Sequence, residues 1–493
     1  MALAKTKCVS FEGVRAVLVH VEANIGPGLP GMYIVGLAGA AMSEAKDRLK
    51  TAMTNSGLPW PKTKLVVNLS PADMRKSGSH FDLSICAAVM SANLGVWIDD
   101  TMFLGEVGLD GSIKPVSGIL PALLAAREEG ISRIVVPAAN AAEAGIIQGL
   151  EVLVAAHISE IADWMMGRCT LATAEGTRNR VVPHPDMADV VGQSEAKLAA
   201  EIAAAGGHHM VMIGPPGSGK SMIAARIPGI MPELSTDHAI EVTAVQSMCD
   251  SGVTGLASSP PFVAPHHSVT VAGLLGGGSG VPKPGAVSKA HRGILFLDEV
   301  SEIPAKVLDS LRIPLEEGTV RLIRGQREIV FPAEFQLVMA ANPCRCGCEE
   351  PSECSCSPTV RRRYLANLSG PLRDRIDLCV RTHSQGAQII GNAESSHAIA
   401  ERVVEARGRA MHRWGSLSAR MDSRVLRRDF LADDAGMAYL AAMLADGTVS
   451  QRGVDRTLKV AWTLADLEGQ PCPGLDHVAQ ATHLHSFAEA VTV

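Results

Sequence analysis

Residues 214–221 read GPPGSGKS, a turn that closes best around an anion held by backbone N–H groups. Gly214, Gly217 and Gly219 let the backbone point those groups inward. Lys220 adds a point charge near the β- and γ-phosphates of a nucleotide, and the Ser221 hydroxyl can ligate magnesium. With Pro215, Pro216 and Ser218 between them, these residues fit G-x-x-x-x-G-K-[ST] without a mismatch. The apolar run His209–Ile213 precedes the loop and a helix-compatible MIAAR stretch follows it, the strand–loop–helix setting the motif requires.

A second segment, GILFLDE at 293–299, completes the argument. Ile294–Leu297 is a continuous apolar run, as expected of a parallel strand buried on both faces. It ends in Asp298, placed to hold magnesium, and Glu299, placed to polarise an attacking water. An acidic turn after a core strand is the plain alternative, and the phosphate loop weighs against it. ATP and magnesium are the expected ligands.

At 493 residues the chain has room for two to four domains. Its 47% hydrophobic and 19% charged content belongs to a packed globular protein, and with 3% aromatics the cores must rely on aliphatic residues and methionine. No apolar stretch is long enough to span a bilayer, and the start, MALAKTKCVS, lacks a signal-peptide apolar region. The expectation is a cytoplasmic protein with no membrane partner. A net charge of −6 argues against a generally basic nucleic-acid coat but leaves room for a local basic channel.

Residues 1–168 alternate strand-like runs (VRAVLVHVEA, GMYIVGL, KLVVNL) with helix-like stretches, an α/β unit ahead of the phosphate loop. Residues 169–190 are polar and aperiodic, and are expected to link it to a core at 191–385. From 395 to 493 helical patterns dominate, which suggests a helical lid.

The stretches DVVGQSEAKLAAEIAAAGGHHMVMIGPPGSGKS, PHHSVTVAGLLGGG, KPGAVSKAHRGILFLDEV, LRIPLEEG, FPAEFQLVMAANPCRCG and SGPLRDRIDL resemble the magnesium-chelatase-like group of AAA+ ATPases. Over its whole length the chain resembles the ComM/YifB branch of that group. The resemblance implies a Lon-protease-like α+β N-terminal domain, a central AAA+ domain with a parallel sheet, and a C-terminal helical lid. Lon proteases use a Ser–Lys pair. Overlaying KSGSHFD and SGILPA puts His80 and Leu120 at those positions, and a leucine cannot take a proton from a hydroxyl. A non-proteolytic scaffold or DNA-facing surface is expected. Ser77 and Ser79 lie nearby, but a serine without a base is usually structural.

By the same resemblance, Asn342 after the apolar run FQLVMAA matches sensor 1, which contacts the γ-phosphate or the attacking water. A turn-forming Asn before Pro343 is the local alternative. Arg375 in LRDRIDL matches an arginine finger supplied to a neighbouring subunit, with Arg373 second; either could instead pair with Asp374 or Asp377. Arg452 fits the sensor 2 position, with Arg456 as runner-up, and helical arginines four apart can also form a plain basic face. Val191, Gly192 and Gln193 match the segment that packs near the adenine. These roles imply a homo-oligomeric ring, hexameric by the family pattern.

Two insertions lie between Lys220 and Asn342. AGLLGGGSGVPKPGA is glycine-rich and has Ala286 where the family usually has Glu, and VRLIRGQREIVF reads as a β-hairpin around Arg324-Gly325-Gln326. Related motors point such loops into the ring's pore, so Lys283, Arg324 and Arg327 could grip a phosphate backbone. A solvated hairpin tip is the alternative. Finally, Cys344, Cys346, Cys354 and Cys356 form C-x-C-x₇-C-x-C with Cys348 spare. Four thiolates on a short, Gly/Pro-containing loop too small for a core of its own suit structural zinc; a redox pair or idle thiols is the rival. The whole suggests an ATP-driven motor on DNA, a ComM-like branch-migration helicase. A chelatase-type subunit and a protein-remodelling chaperone are the alternatives.

Overall fold

The structure is a computed structural model describing residues 2–36, 40–72, 74, 76–98, 100–180, 183–278, 282–324, 327–349, 354–357, 359–360, 364, 370–384 and 394–485. The C-terminal stretch 486–493 of the helical region lies outside the described residues.

The alternating run after Arg15 does what its period dictates. β1 (Ala2–Glu12) and β2 (Arg15–Gly26) form an antiparallel pair in full register, turning at Gly13 with φ of 70°. Val19, Val21 and Ala23, spaced by two, point into the core. β3 (Gly31–Val35), β4 (Lys64–Ser70) and β5 (Thr101–Phe103) extend the sheet, while β6 (Glu106–Val107) and β7 (Ile113–Lys114) form a separate ribbon. β8 (Arg133–Pro137), β9 (Glu151–Ala155) and β10 (Ala172–Thr173) complete the order β10-β9-β8-β5-β1-β2-β4-β3. The helices Asp82–Leu94 and Ile119–Glu128 supply much of the core packed on it.

Residues 169–190, aperiodic in sequence, carry two strands too short for any period to show. β10 joins the edge of the first sheet, and β11 (Thr177–Arg180) runs parallel to β13 (Gly255–Ala257). Met187 is buried in the second core.

That core surrounds a five-stranded parallel sheet ordered β14-β17-β20-β12-β21. Its strands are β12 (Met210–Ile213), β14 (Phe262–Val263), β17 (Ile294–Leu297), β20 (Gln336–Ala341) and β21 (Leu378–Arg381). Met210 and Met212 face one layer of helices, Val211 and Ile213 the other, so both faces are covered and the strands read as unbroken apolar runs. β15 (Gly276–Gly277) pairs with β16 (Lys283–Pro284), and β18 (Thr319–Arg324) with β19 (Arg327–Pro332).

The helices Ser396–Trp414, Ser423–Asp429, Asp434–Ala445, Gln451–Leu467 and Leu475–His485 close the chain. Four begin at side-chain caps, Ser395, Asp422, Asp433 and Ser450, each accepting from a backbone N–H in the first turn. Their apolar faces (Val403, Leu440, Leu458, Val478) share one core with Met210 and Met212.

The N-terminal unit docks on the helix Thr236–Cys249. Ala244 of that helix lies within the N-terminal core, and Gly118 N–H donates to Ser247 O at 2.9 Å. The Ser247 hydroxyl donates to buried Glu143, whose same oxygen accepts from Leu120 N–H at 2.9 Å. Asn140 adds a bond to Ser251 O at 3.3 Å.

Candidate nucleotide site

Strand register assembles the site. Ile213 stands opposite both Ala341 and Arg381, and Leu297 opposite Met339. Gly214, Asn342 and Thr382 therefore leave the sheet at one level, with Asp298 beside them. This is the carboxyl edge, where open α/β sheets take their ligands.

The phosphate loop turns at Gly217 and Gly219, with φ of 80° and 85°, and the helix Lys220–Arg226 follows. Side chains are excluded at Gly214, where a Cβ would stand 2.1 Å from Thr382 Oγ1. Lys220 folds back on the loop, its Nζ 2.7 Å from Gly214 O, 2.8 Å from Pro215 O and 3.3 Å from both Ser218 Oγ and Asn342 Oδ1. Burial pushes the Lys220 ammonium below its ordinary pKa, opposed by the charges of Asp298 and Glu299. A triphosphate would replace those carbonyl contacts with stronger charge-assisted ones. The Ser221 hydroxyl donates to Asp298 Oδ2 at 2.8 Å. Two hard oxygen donors side by side fit magnesium, which they would hold with phosphate oxygens and water.

Glu299 caps the strand in a left-handed conformation, φ 47°, and its N–H bonds Asp298 Oδ1 at 2.9 Å. Its carboxylate meets His267 Nδ1 at 3.2 Å. No local motif announces His267 beyond the pair HH in PHHSVT. Ser218 Oγ lies 2.7 Å from Thr382 Oγ1, another contact no local motif announces. Gln193 exchanges two bonds with the His383 backbone, donating at 2.6 Å and accepting at 3.2 Å. Pro216 is the loop residue that meets the cysteine segment, across from Gly347.

Of the four expected arginines, Arg375, Arg452 and Arg456 gather near Asp374 and Asp377. Arg375 pairs with Glu316 and is half-buried; Arg452 is exposed and reaches Asp374 at 3.4 Å. Burial lowers the pKa of Arg456, opposed by Asp377 and Asp374. Burial pushes Asp377 up, but the 3.2 Å hydrogen bond from His208 and the nearby positive charges hold it at about 2. Arg373 is exposed at the end of a short turn of helix.

Lys283 is exposed on β16. Arg324 and Arg327 face each other at the last register position of the β18–β19 ribbon. The turn residues 325–326 and the side chains of both arginines lie outside the described residues. Ile323, beside the turn, is 77% exposed.

The sulfurs of Cys344, Cys346, Cys354 and Cys356 lie within 4.8 Å of one another, with Cys344–Cys346 at 3.0 Å and both of these 3.5 Å from Cys354. Four thiolates about 2.3 Å from a zinc ion would be spaced within that range. The hydrogen bond with Cys344 lowers the Cys346 thiol to about 5, while burial pushes its partner Cys344 up to about 12.

In the N-terminal unit, His80 is buried between Phe11 and Phe81, ring centroids 5.0 and 4.5 Å away, and its Nε2 lies 2.9 Å from Val9 O. Burial lowers it to about 4. Leu120 is fully buried.

Family models agree with this architecture. "Magnesium chelatase, subunit ChlI" matches residues 186–389, its C-terminal model residues 393–485, and "Subunit ChlI of Mg-chelatase" residues 21–140. Rv2897c of Mycobacterium tuberculosis is 47% identical over 98% of both chains. YifB of Escherichia coli is 37% identical over 95% of this chain and 94% of its own, and competence protein ComM of Haemophilus influenzae 36% over 98% and 97%. A Lon protease of Anaeromyxobacter dehalogenans is 30% identical over 157 residues, 29% of this chain and 19% of its own. With relatives matching along nearly its whole length and a Lon-like region at its start, the chain belongs to the ComM/YifB family of magnesium-chelatase-like AAA+ proteins.

Proposed function

We propose that the chain is an ATPase, converting ATP and water to ADP and phosphate, whose turnover drives a homohexameric ring along single-stranded or branched DNA as a branch-migration helicase. The observation that carries the ATPase reading is the convergence of Lys220, Ser221, Asp298 and Asn342 at one strand edge. Magnesium, held by Ser221 and Asp298, supplies charge neutralisation at the phosphates. Lys220 orients the β- and γ-phosphates, Asn342 holds the γ-phosphate or water, and Glu299 accepts the proton of the attacking water. Arg375 reaches a neighbour's phosphate, and Arg452, with Arg456 below it, reports nucleotide to the lid.

DNA as the track is supported by the β18–β19 ribbon, which ends in the Arg324–Arg327 pair beside exposed Ile323, and by the exposed Lys283. One relative carries the name competence protein. The N-terminal unit serves as a non-proteolytic scaffold, and zinc holds the cysteine loop. The family models' name favours a second reading, a metal-insertion motor.

Strand exchange on a four-way junction tests the proposal. The parent should move the branch point only with ATP, and Glu299→Gln should bind nucleotide without moving it. Branch movement undiminished in the variant would refute the motor. An ATPase rate indifferent to all DNA forms would favour the second reading.

A further inference from the structure

The cysteine segment and the nucleotide site touch. Asn342 directly follows β20 and Cys344 comes two residues later, so the loop starts inside the site. It turns at Gly347, φ 74°, where a Cβ would lie 2.7 Å from Pro216 Cδ of the phosphate loop. No side chain larger than hydrogen fits there.

Glu349 then reaches across to the strand edge. Its Oε1 lies 2.8 Å from His383 Nδ1, and its Oε2 accepts from Ser384 N–H at 3.0 Å and from the Ser384 hydroxyl. The Ser384 hydrogen bond holds this carboxyl below the usual range. The segment it grips touches both the phosphate loop and Gln193. Thr382 meets Ser218 and closes over Gly214; the His383 backbone exchanges two bonds with Gln193, itself left-handed at φ 54°.

Glu349 lies in sequence between Cys346 and Cys354 of the thiol cluster. Residues 344–356 contain no aliphatic or aromatic side chain besides one proline, and of the four clustered cysteines only Cys344 is buried. A segment without a core takes its shape from its metal.

We propose that Glu349 is a positioning residue of the nucleotide pocket, set by zinc in the cysteine cluster, so that metal occupancy tunes nucleotide affinity. The proposal rests on the ATPase reading above. Metal loss slackens Glu349, releases the 382–384 segment, and loosens both the phosphate loop at Ser218 and the adenine side at Gln193.

The test uses the full chain, its zinc content measured by elemental analysis and its affinity for a fluorescent ATP analogue by titration. The parent should carry about one zinc per chain. Glu349→Ala should keep its zinc and its unfolding temperature yet bind the analogue roughly tenfold more weakly, as expected for a lost charge-assisted contact. Glu349→Asp should recover part of the loss. Stripping zinc with a thiol reagent and chelator should weaken the parent by a similar factor and Glu349→Ala by little more. A zinc-loaded Glu349→Ala with parental affinity overturns the coupling. A parent with no zinc that binds the analogue normally overturns the metal's part. A parent that binds no nucleotide with its zinc in place overturns the ATPase reading instead.

Discussion

Ser221 Oγ donates a 2.8 Å hydrogen bond to Asp298 Oδ2, joining the start of the helix after the phosphate loop to the end of the strand two places away in the sheet. The bond aligns two oxygens on one point before any cation arrives. Ser221→Ala and Asp298→Asn should each raise the magnesium concentration needed for half-maximal hydrolysis by tenfold or more, about 1.4 kcal/mol per factor of ten. Titrating magnesium at saturating ATP checks this, and an unchanged requirement would remove both residues from the site.

Arg375 should act on a neighbour. Arg375→Ala alone should hydrolyse ATP at least about 10³-fold more slowly, the usual cost of a missing finger. Mixed with Lys220→Ala, which lacks its own phosphate contact, it should regain activity where an intact Arg375 faces an intact Lys220. Phosphate release from the mixture measures this. No recovery at any ratio would place Arg375 in its own subunit's structure, paired with Glu316.

Glu143 gives the interdomain contact a pH dependence. Burial raises its pKa from 4.5 to about 7, although the Ser247 hydroxyl and Leu120 N–H pull it down. Because the folded value is the higher one, the stabilising contribution is complete below about pH 4.5 and is lost as pH rises through about 7. At full extent the loss is on the order of 3 kcal/mol. Unfolding temperatures of the parent should fall between pH 5 and 8 relative to Glu143→Gln; parallel curves would count against a protonated Glu143.

Lys283 should contribute charge and no sequence preference. Lys283→Ala should weaken binding to every DNA form alike, and reduce the slope of log affinity against log salt by roughly one. Fluorescence anisotropy over a salt series measures both. A slope identical to the parent's would place the exposed Lys283 away from DNA.

The parts of the candidate nucleotide site are legible in the sequence because they are local. GPPGSGKS, ILFLDE and FQLVMAAN each pair a buried strand with the polar residues at its end, and the parallel sheet aligns those ends. The thiol cluster was legible for the same reason, its members falling within thirteen consecutive residues. What stayed hidden depends on distant segments meeting. Glu143 meets Ser247 across 104 positions, and Ser218 meets Thr382 across 164. Glu349 looks in sequence like one more acidic loop residue; its value comes from lying opposite His383 and Ser384. His267 likewise acquires meaning only from the 3.2 Å contact with Glu299.

The most direct test of the account is inorganic phosphate release from magnesium-ATP by the parent and by Glu299→Gln, with and without a branched DNA. The parent should release phosphate, faster when DNA is present, and the variant should release at least about 10²-fold less while still binding nucleotide. Parental turnover by Glu299→Gln, or no release by the parent under any condition, would contradict the account.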